Sequence, residues 1–355
     1  MTLETSHLHT IAGQFAPSIS AITPLGNGLI NDTFLVTSNG ATPFVLQRIN
    51  RQVFPEPALI TANLLVLNRH IQQQADVRLH LPEILRTATG QENYQDGQGN
   101  SWRAQSFITD TESLETLRSL DDAAQVGYAL GHFHRLASTL DPATLHDTLP
   151  GFHITPDYLS HYQTVARQTT VIDPFCAAFI NGFQHHADTL EAAKRQGRLP
   201  LRVIHGDPKL NNFLFAKGGN TIVSLIDLDT VKPGLVHYDI GDCLRSCCHN
   251  EASNSFNLEI CAAILQSYLS ETRVFFTHED YAYLYPAIQL LPFELGLRFY
   301  TDYLQGNRYF KVTSPEQNLH RARAQFQLCA SVMAQRAGIE ALIRQVGNAG
   351  LGEAS

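Results

Sequence analysis

At 355 residues, 44% apolar and 16% charged, the chain has the make-up of an ordinary globular protein of one large or two medium domains. Its formal net charge of −8, from 25 basic and 33 acidic residues, supplies no field that would hold a nucleic acid backbone or an anionic membrane, so neither partner is expected. Six cysteines in so long a chain do not make a disulfide framework and fit a reducing compartment. The opening MTLETSHLHTIAGQFAPS carries an acid where a secretory signal carries positive charge. No later run approaches the roughly 20 apolar residues of a spanning helix, so a cytoplasmic location is the expectation.

In chain order, ISAITPL, TFLVTS and TPFVLQRI predict strands between about Ser20 and Asn50, the last two joined by a tight turn at Asn39 and Gly40. A helix is predicted from about Pro57, which suits a first turn, with Leu59, Ala62, Val66 and His70 on one face. Strands return at LPEILRT and WRAQSFIT, either side of GQENYQDGQGN, whose Gly, Asn and Asp suit a hairpin connection. After Thr109 the pattern turns helical. SLETLRSLDDAAQVGYALGHFHRLAST predicts a long helix with Val126, Leu130, Phe133 and Ala137 on one face. A further helical stretch runs from Pro174 to Lys194, short strands surround His205 and Ile226, and helix dominates from Asp242 to Gln345.

This is an α+β pattern in two lobes: a β-rich N-lobe over 1–108, a mostly helical C-lobe over 109–345 and a flexible tail over 346–355. The cleft between two lobes is a natural ligand site. The cluster Cys243, Cys247, Cys248, His249 and Cys261 has only a loose version of zinc spacing and sits in an apolar helical run, so it is read as buried thiols.

The chemistry concentrates in HGDPKLNN, from His205 to Asn212, and in IDLD, from Ile226 to Asp229. Apolar LRVI and FLF anchor this elbow, and Pro208 stiffens it. Asp207 is placed to accept a hydrogen bond from an attacking hydroxyl, and Lys209 to meet the oxygens of a transferring phosphoryl group. Asn212 offers an amide oxygen to a divalent cation, and Asp227 a hard anionic ligand of the kind Mg²⁺ prefers. Positioning and charge compensation account for most of phosphoryl transfer, so this set suits it. Period-two alternation puts Asp229 on the face of Asp227, which reads either as a place near metal or substrate or as a capping or supporting role behind them. In the N-lobe, Gly26, Asn27, Gly28 and Asn31 form a turn between strands whose backbone N–H groups could approach nucleotide phosphates.

H-G-D-x-x-x-x-N followed by I-D resembles the aminoglycoside phosphotransferase and choline kinase superfamily, whose fold is similar to that of protein kinases. PLGNGLINDTFLV, FVLQRIN, LPGFH, IDLDTVKPGL, DIGDCLRS, ELGLRFYTDYLQGNRYFK and NLHRARAQ resemble its N-acetylhexosamine 1-kinase branch, over roughly Pro24 to Gln325. The resemblance implies a bilobal kinase-like fold, ATP (GTP not excluded) with Mg²⁺, and transfer to the anomeric hydroxyl of an N-acetylhexosamine or related hexose. It makes Asp207 the base, Asn212 and Asp227 the metal ligands, Lys209 a phosphate contact and His205 a brace of the loop. The third glycine of the kinase turn is Asn31, and the phosphate-pairing Lys is replaced by Gln47 with Arg48 beside it. Gln47 and Arg48 are therefore candidate nucleotide contacts, with Glu56 and Glu83 as candidate ion-pair partners.

The acceptor side is less fixed. His153, read either as an acceptor-side contact or as a packed surface residue, lies in LPGFHITPDYLSHY, which resembles the sugar-side segment of the hexosamine kinases but lacks the Arg that follows there. Arg298 shares a helical face with Glu294 and Asp302, either as a self-contained ion network or facing the cleft. Arg245 has the same two readings, while Asp239 and Asp242 are read as organising the loop. The alternatives are a kinase of choline, homoserine or an aminoglycoside, a nucleotide-binding pseudokinase and a metal-dependent phosphohydrolase. Oligomeric state is not legible.

Overall fold

The computed structural model describes residues 5–26, 30–170 and 172–351. Helix α1 (Thr5–Ala12) precedes strands β1 (Ile19–Pro24), β2 (Asp32–Ser38) and β3 (Ala41–Ile49). Helix α2 (Pro57–Gln72) follows, then β4 (Ile84–Leu85), β5 (Tyr94–Gln95) and β6 (Ser101–Ser106). The six strands form one antiparallel sheet in the order β1-β2-β3-β6-β4, with β5 also paired to β6. Alternation along β3 sorts its side chains. Phe44 and Leu46 pack with Trp102, Ala104 and the Leu8, Ile11 and Ala12 face of α1, whereas Ile49 joins the core shared with α2 and the helical lobe.

The buried stripe of α2 is Ile60, Leu64, Leu67 and Ile71, not the half-buried Leu59, Ala62, Val66 and His70. Two adjacent apolar stripes run along this helix, and a polar residue decides between them. Asn63 is buried on the inner side, donating from Nδ2 to the carbonyls of His146 (2.8 Å) and Val231 (2.9 Å).

The second lobe opens with β7 (Thr111–Ser113), α3 (Leu120–Ala137), α4 (Thr155–Ala166), α5 (Pro174–Phe183) and α6 (Thr189–Arg195). Val126, Leu130, Phe133 and Ala137 of α3 are buried as a single face. The helical pattern after Pro174 is interrupted at Gln184–His186. Next come β8 (Arg202–Ile204), β9 (Phe213–Ala216), β10 (Ile222–Leu225) and β11 (Lys232–Gly234), in small sheets ordered β10-β9-β7 and β11-β8. After α7 (Val236–Cys247), a hairpin of β12 (His249–Asn250) and β13 (Ser255–Phe256) leads into α8 (Leu258–Thr272) and α9 (His278–Ala282). Helices α10 (Leu284–Leu304), α11 (Gln317–Ala334) and α12 (Arg336–Leu351) complete the lobe. Helix α12 thus continues through positions expected to form the tail.

Helices α3 and α8 approach closely because α3 lacks side chains at two crossing points. A Cβ on Gly127 would lie 2.1 Å from the carbonyl oxygen of Ile264, and one on Gly131 2.8 Å from that of Tyr268. All six cysteines are free and buried, and Cys243, Cys247, Cys248 and Cys261 are in the main core. Burial pushes the thiols of Cys243 and Cys248 well above their ordinary value. Among the described residues, no helix is long and apolar enough to cross a membrane. The whole is an α+β bilobal, protein-kinase-like fold, with the elbow from His205 to Asn212 at the junction of the lobes.

Candidate active site

The elbow leaves β8 at Ile204 and re-enters the sheet at Phe213. Its first half is held from beneath by Asp239 of α7, which is fully buried. The two oxygens of Asp239 accept the backbone N–H groups of His205 (2.6 Å) and Gly206 (2.9 Å). His134 of α3 adds its Nε2–H to the same carboxylate at 2.9 Å and takes the Tyr268 hydroxyl on Nδ1 at 2.9 Å. Gly206 has φ +89°, and a Cβ there would lie 2.6 Å from the carbonyl oxygen of Thr230, so the turn demands glycine.

His205 is a brace. Its Nδ1 accepts the Asp207 backbone N–H at 3.2 Å, and its Nε2–H donates to the carbonyl of Ile226 at 3.0 Å. It therefore links the loop bearing Asp207 to the strand end bearing Asp227. Burial holds this imidazole below its ordinary pKa, as the neutral pattern of one donor and one acceptor requires.

Asp207, Lys209 and Asp227 are the groups that remain open to solutes, with side chains 27%, 37% and 43% exposed. Lys209 Nζ lies 2.6 Å from Asp207 Oδ2 and 4.0 Å from Asp227 Oδ2. Despite the desolvation that opposes it, these two carboxylates push the ammonium above its usual range. Asn212 donates from Nδ2 to the Asp207 carbonyl at 2.7 Å, which leaves its Oδ1 for a cation. Asp227 adopts φ 61° and ψ 50°, a left-handed conformation unusual for a side chain larger than glycine and of a kind that clusters at functional sites. Desolvation by the surrounding protein, opposed by Lys209 and reinforced by Asp229 and Asp207, pushes this partly enclosed carboxyl up to about 6.

That left-handed residue also explains a correction. Asp229 does not share the face of Asp227, because the strand ends at Leu225 and 228–230 form a tight turn. Asp229 is buried, ion-paired to Arg103 of β6 and accepting Asn31 Nδ2 at 2.8 Å. Gln47 is committed as well: its Oε1 accepts Arg103 Nε (3.0 Å) and Nη2 (2.7 Å), while its Nε2 donates to Thr33 (3.1 Å). Arg48 points to the opposite face of β3, paired with Asp32 and lying over Trp102 at 6.0 Å. It is not brought to the cleft. Glu83 binds Gln72 instead of an N-lobe cation. Gly26 has φ +69° and is exposed, while Asn27 and Gly28 lie outside the described residues.

On the acceptor side, His153 is buried at φ 66°. It donates from Nδ1 to Glu294 at 2.9 Å and from Nε2 to the Gly206 carbonyl at 2.7 Å. Although burial opposes it, the charge of Glu294 holds this imidazole above its ordinary value of 6.5. A raised pKa contributes stability that is fully present below 6.5 and is lost as pH rises through the folded value. Thermal stability should therefore fall on the alkaline side of the ordinary histidine range, and His153→Gln should remove that limb. Melting curves across this window check it, and an unchanged slope in the variant would contradict it.

Glu294 also accepts Thr155 Oγ1 at 2.7 Å. Asp302 receives the backbone N–H groups of Arg308 (2.8 Å), Tyr309 (2.8 Å) and Phe310 (3.0 Å), with Asn318 Nδ2 at 2.9 Å. Neither acid pairs with Arg298, so the ion-network reading of that helix face fails. The Arg298 guanidinium sits among the rings of Phe152 (5.0 Å), Tyr158 (5.3 Å), Phe310 (5.6 Å) and Tyr309 (6.0 Å). Although burial opposes it, Tyr158, Tyr309, Glu294 and, least of these, Asp207 hold its guanidinium above its usual value. A cavity of about 230 Å³ opens here, lined among others by Leu149, His161, Arg298, Thr301 and Asp302. The Thr301 hydroxyl is buried with no partner. Arg245 bonds Asp242 at 2.7 Å, and its charge with those of His153 and Lys209 holds the Asp242 carboxyl below its usual range.

Arg103, Thr301 and the rings around Arg298 escape a motif search, because each lies far in sequence from the HGD elbow. Only the pairing of Gln47 with Arg103 across β3 and β6 could have pointed to the first.

A model of the phosphotransferase enzyme family matches residues 21–275, well over half of the chain. Among solved structures, an aminoglycoside phosphotransferase from Alicyclobacillus acidocaldarius superposes with a TM-score of 0.66 at 17% identity, covering 98% of each chain. The microcompartment-associated aminopropanol kinase gives a TM-score of 0.70 at 17% identity, covering 95% of this chain and 99% of that one. Amicoumacin kinase, bound to AMP-PNP and Ca²⁺, gives 0.64 at 14% identity over 92% and 93%. At such identities these likenesses show the fold, while the family match extends from the N-lobe sheet through the elbow. The chain belongs to the phosphotransferase enzyme family.

Proposed function

We propose that the protein transfers the γ-phosphoryl group of ATP, with Mg²⁺, to the anomeric hydroxyl of an N-acetylhexosamine or related hexose. The observation that carries the choice of acceptor is the aromatic lining of the pocket with its unpartnered polar groups. Four rings surround a guanidinium already in place. Among the described residues no carboxylate pairs with Arg298, because Glu294 and Asp302 are engaged elsewhere. A cationic acceptor such as choline, an amino alcohol or an aminoglycoside would meet that guanidinium as well as the carboxylate of Asp302 on the cavity wall. A neutral sugar would instead lay its apolar face on the rings and give its polar groups to Arg298 and the unpartnered Thr301 hydroxyl.

The chain's residues fit the reaction. Asp207 orients the acceptor hydroxyl and takes its proton as the bond to phosphorus forms, since a carboxylate is too weak a base to strip an alcohol beforehand. Lys209, held by Asp207 and near Asp227, follows charge onto the transferring group. Asp227 and Asn212 form an oxygen donor set suited to Mg²⁺. Mg²⁺ bound there would neutralise charge on the donor phosphates. A phosphohydrolase would not need the acceptor pocket, and a pseudokinase would not need the exposed Asp207.

Acceptor-dependent ADP release, measured over GlcNAc, GalNAc, glucose, galactose, choline, homoserine and an aminoglycoside, tests the proposal. Turnover with one or more hexoses is expected. Turnover with a cationic acceptor alone would overturn the sugar assignment and leave the kinase intact.

A further inference from the structure

A kinase of this fold needs a cation on the N-lobe side to meet the donor phosphates, yet β3 offers the neutral Gln47 in its place. The positive charge stands on the neighbouring strand. Arg103 is paired directly with Gln47 in the register of β3 and β6 and is 1% exposed. Its Nε and Nη2 hold Gln47 Oε1, and Nη2 also meets Asp229. Its Nη1 is buried with no partner.

We infer that Arg103 is the phosphate-binding cation of the N-lobe, its spare Nη1 donating to a phosphate oxygen of the donor nucleotide. The inference rests on the nucleotide reading above. A buried guanidinium donor left without an acceptor is unfavourable, and an anion between the lobes would satisfy it. Gln47 and Asp229 fix the plane of the fork, so the donor is preset rather than recruited. The ion-pair partner has moved too: in place of a helical glutamate from the N-lobe it is Asp229, one short turn from Asp227. Asn31, just before β2, also bonds Asp229. One buried carboxylate thus joins Asn31, the cation and the strand end of the elbow.

Calorimetry of the full chain with MgADP and with adenosine tests this. Adenosine carries the base and ribose without phosphate. Because removing Arg103 alone would strand a buried carboxylate, the first variant is the pair Arg103→Met with Asp229→Asn. The second, Arg103→Lys, keeps the charge but cannot serve Gln47, Asp229 and a phosphate together. Both are expected to weaken ADP about 10- to 100-fold while adenosine binds as to the parent chain, and Asp229→Asn alone is expected to retain ADP. Equal losses for ADP and adenosine, no loss in either Arg103 variant, or the full loss from Asp229→Asn alone would overturn the assignment. If the parent chain binds neither ligand, the nucleotide reading falls and this inference with it.

Discussion

Asp207→Asn lowers kcat by about 10²- to 10⁴-fold and leaves nucleotide affinity unchanged, as stopped-time turnover and calorimetry would show. Asparagine keeps the size of the side chain, and the loop does not depend on the carboxylate. Its backbone is held through the Asp207 N–H on His205 and the Asp207 carbonyl on Asn212. What the substitution removes is the proton acceptor and the anionic partner of Lys209. Retained turnover would reject Asp207 as the base. Loss of nucleotide affinity in step with turnover would mean that the carboxylate organises the donor site instead.

Asp239→Ala should have the largest effect on stability, about 3–5 kcal/mol, read as a lower urea midpoint at unchanged slope. This carboxylate is fully buried and satisfies two backbone N–H groups and His134. Alanine would leave all three donors without a partner in the core beneath the elbow. Catalysis should fall too, although Asp239 touches no reactant, because His205 and Gly206 lose the support that aims Asp207. A midpoint within experimental error of the parent would show that the loop is held by its glycine and His205 alone.

The elbow was legible because its chemistry is local. His205, Asp207, Lys209 and Asn212 lie within one short segment, so their closeness to one another was readable, and the α+β order of elements follows from periodicity. Of the two readings of Asp229 the same-face one failed, because β10 ends at Leu225 and Asp227 then turns left-handed. Arg48 was misplaced for the converse reason: β3 does alternate, which sends Arg48 to the face opposite Gln47. The helical pairing of Glu294 with Arg298 failed because a buried histidine from another segment takes the carboxylate. Long-range polar partners such as Arg103 with Asp229, 126 residues apart, leave no periodic trace. The helix α2 stripe was set by Asn63, a polar residue that an apolar pattern passes over.

Phosphorus NMR of the product formed from MgATP and an N-acetylhexosamine tests the central claim most directly. The expected spectrum shows a phosphate coupled to the anomeric proton, formed with stoichiometric ADP and absent in Asp207→Asn. Phosphate on another hydroxyl, or free inorganic phosphate without a sugar product, would contradict it.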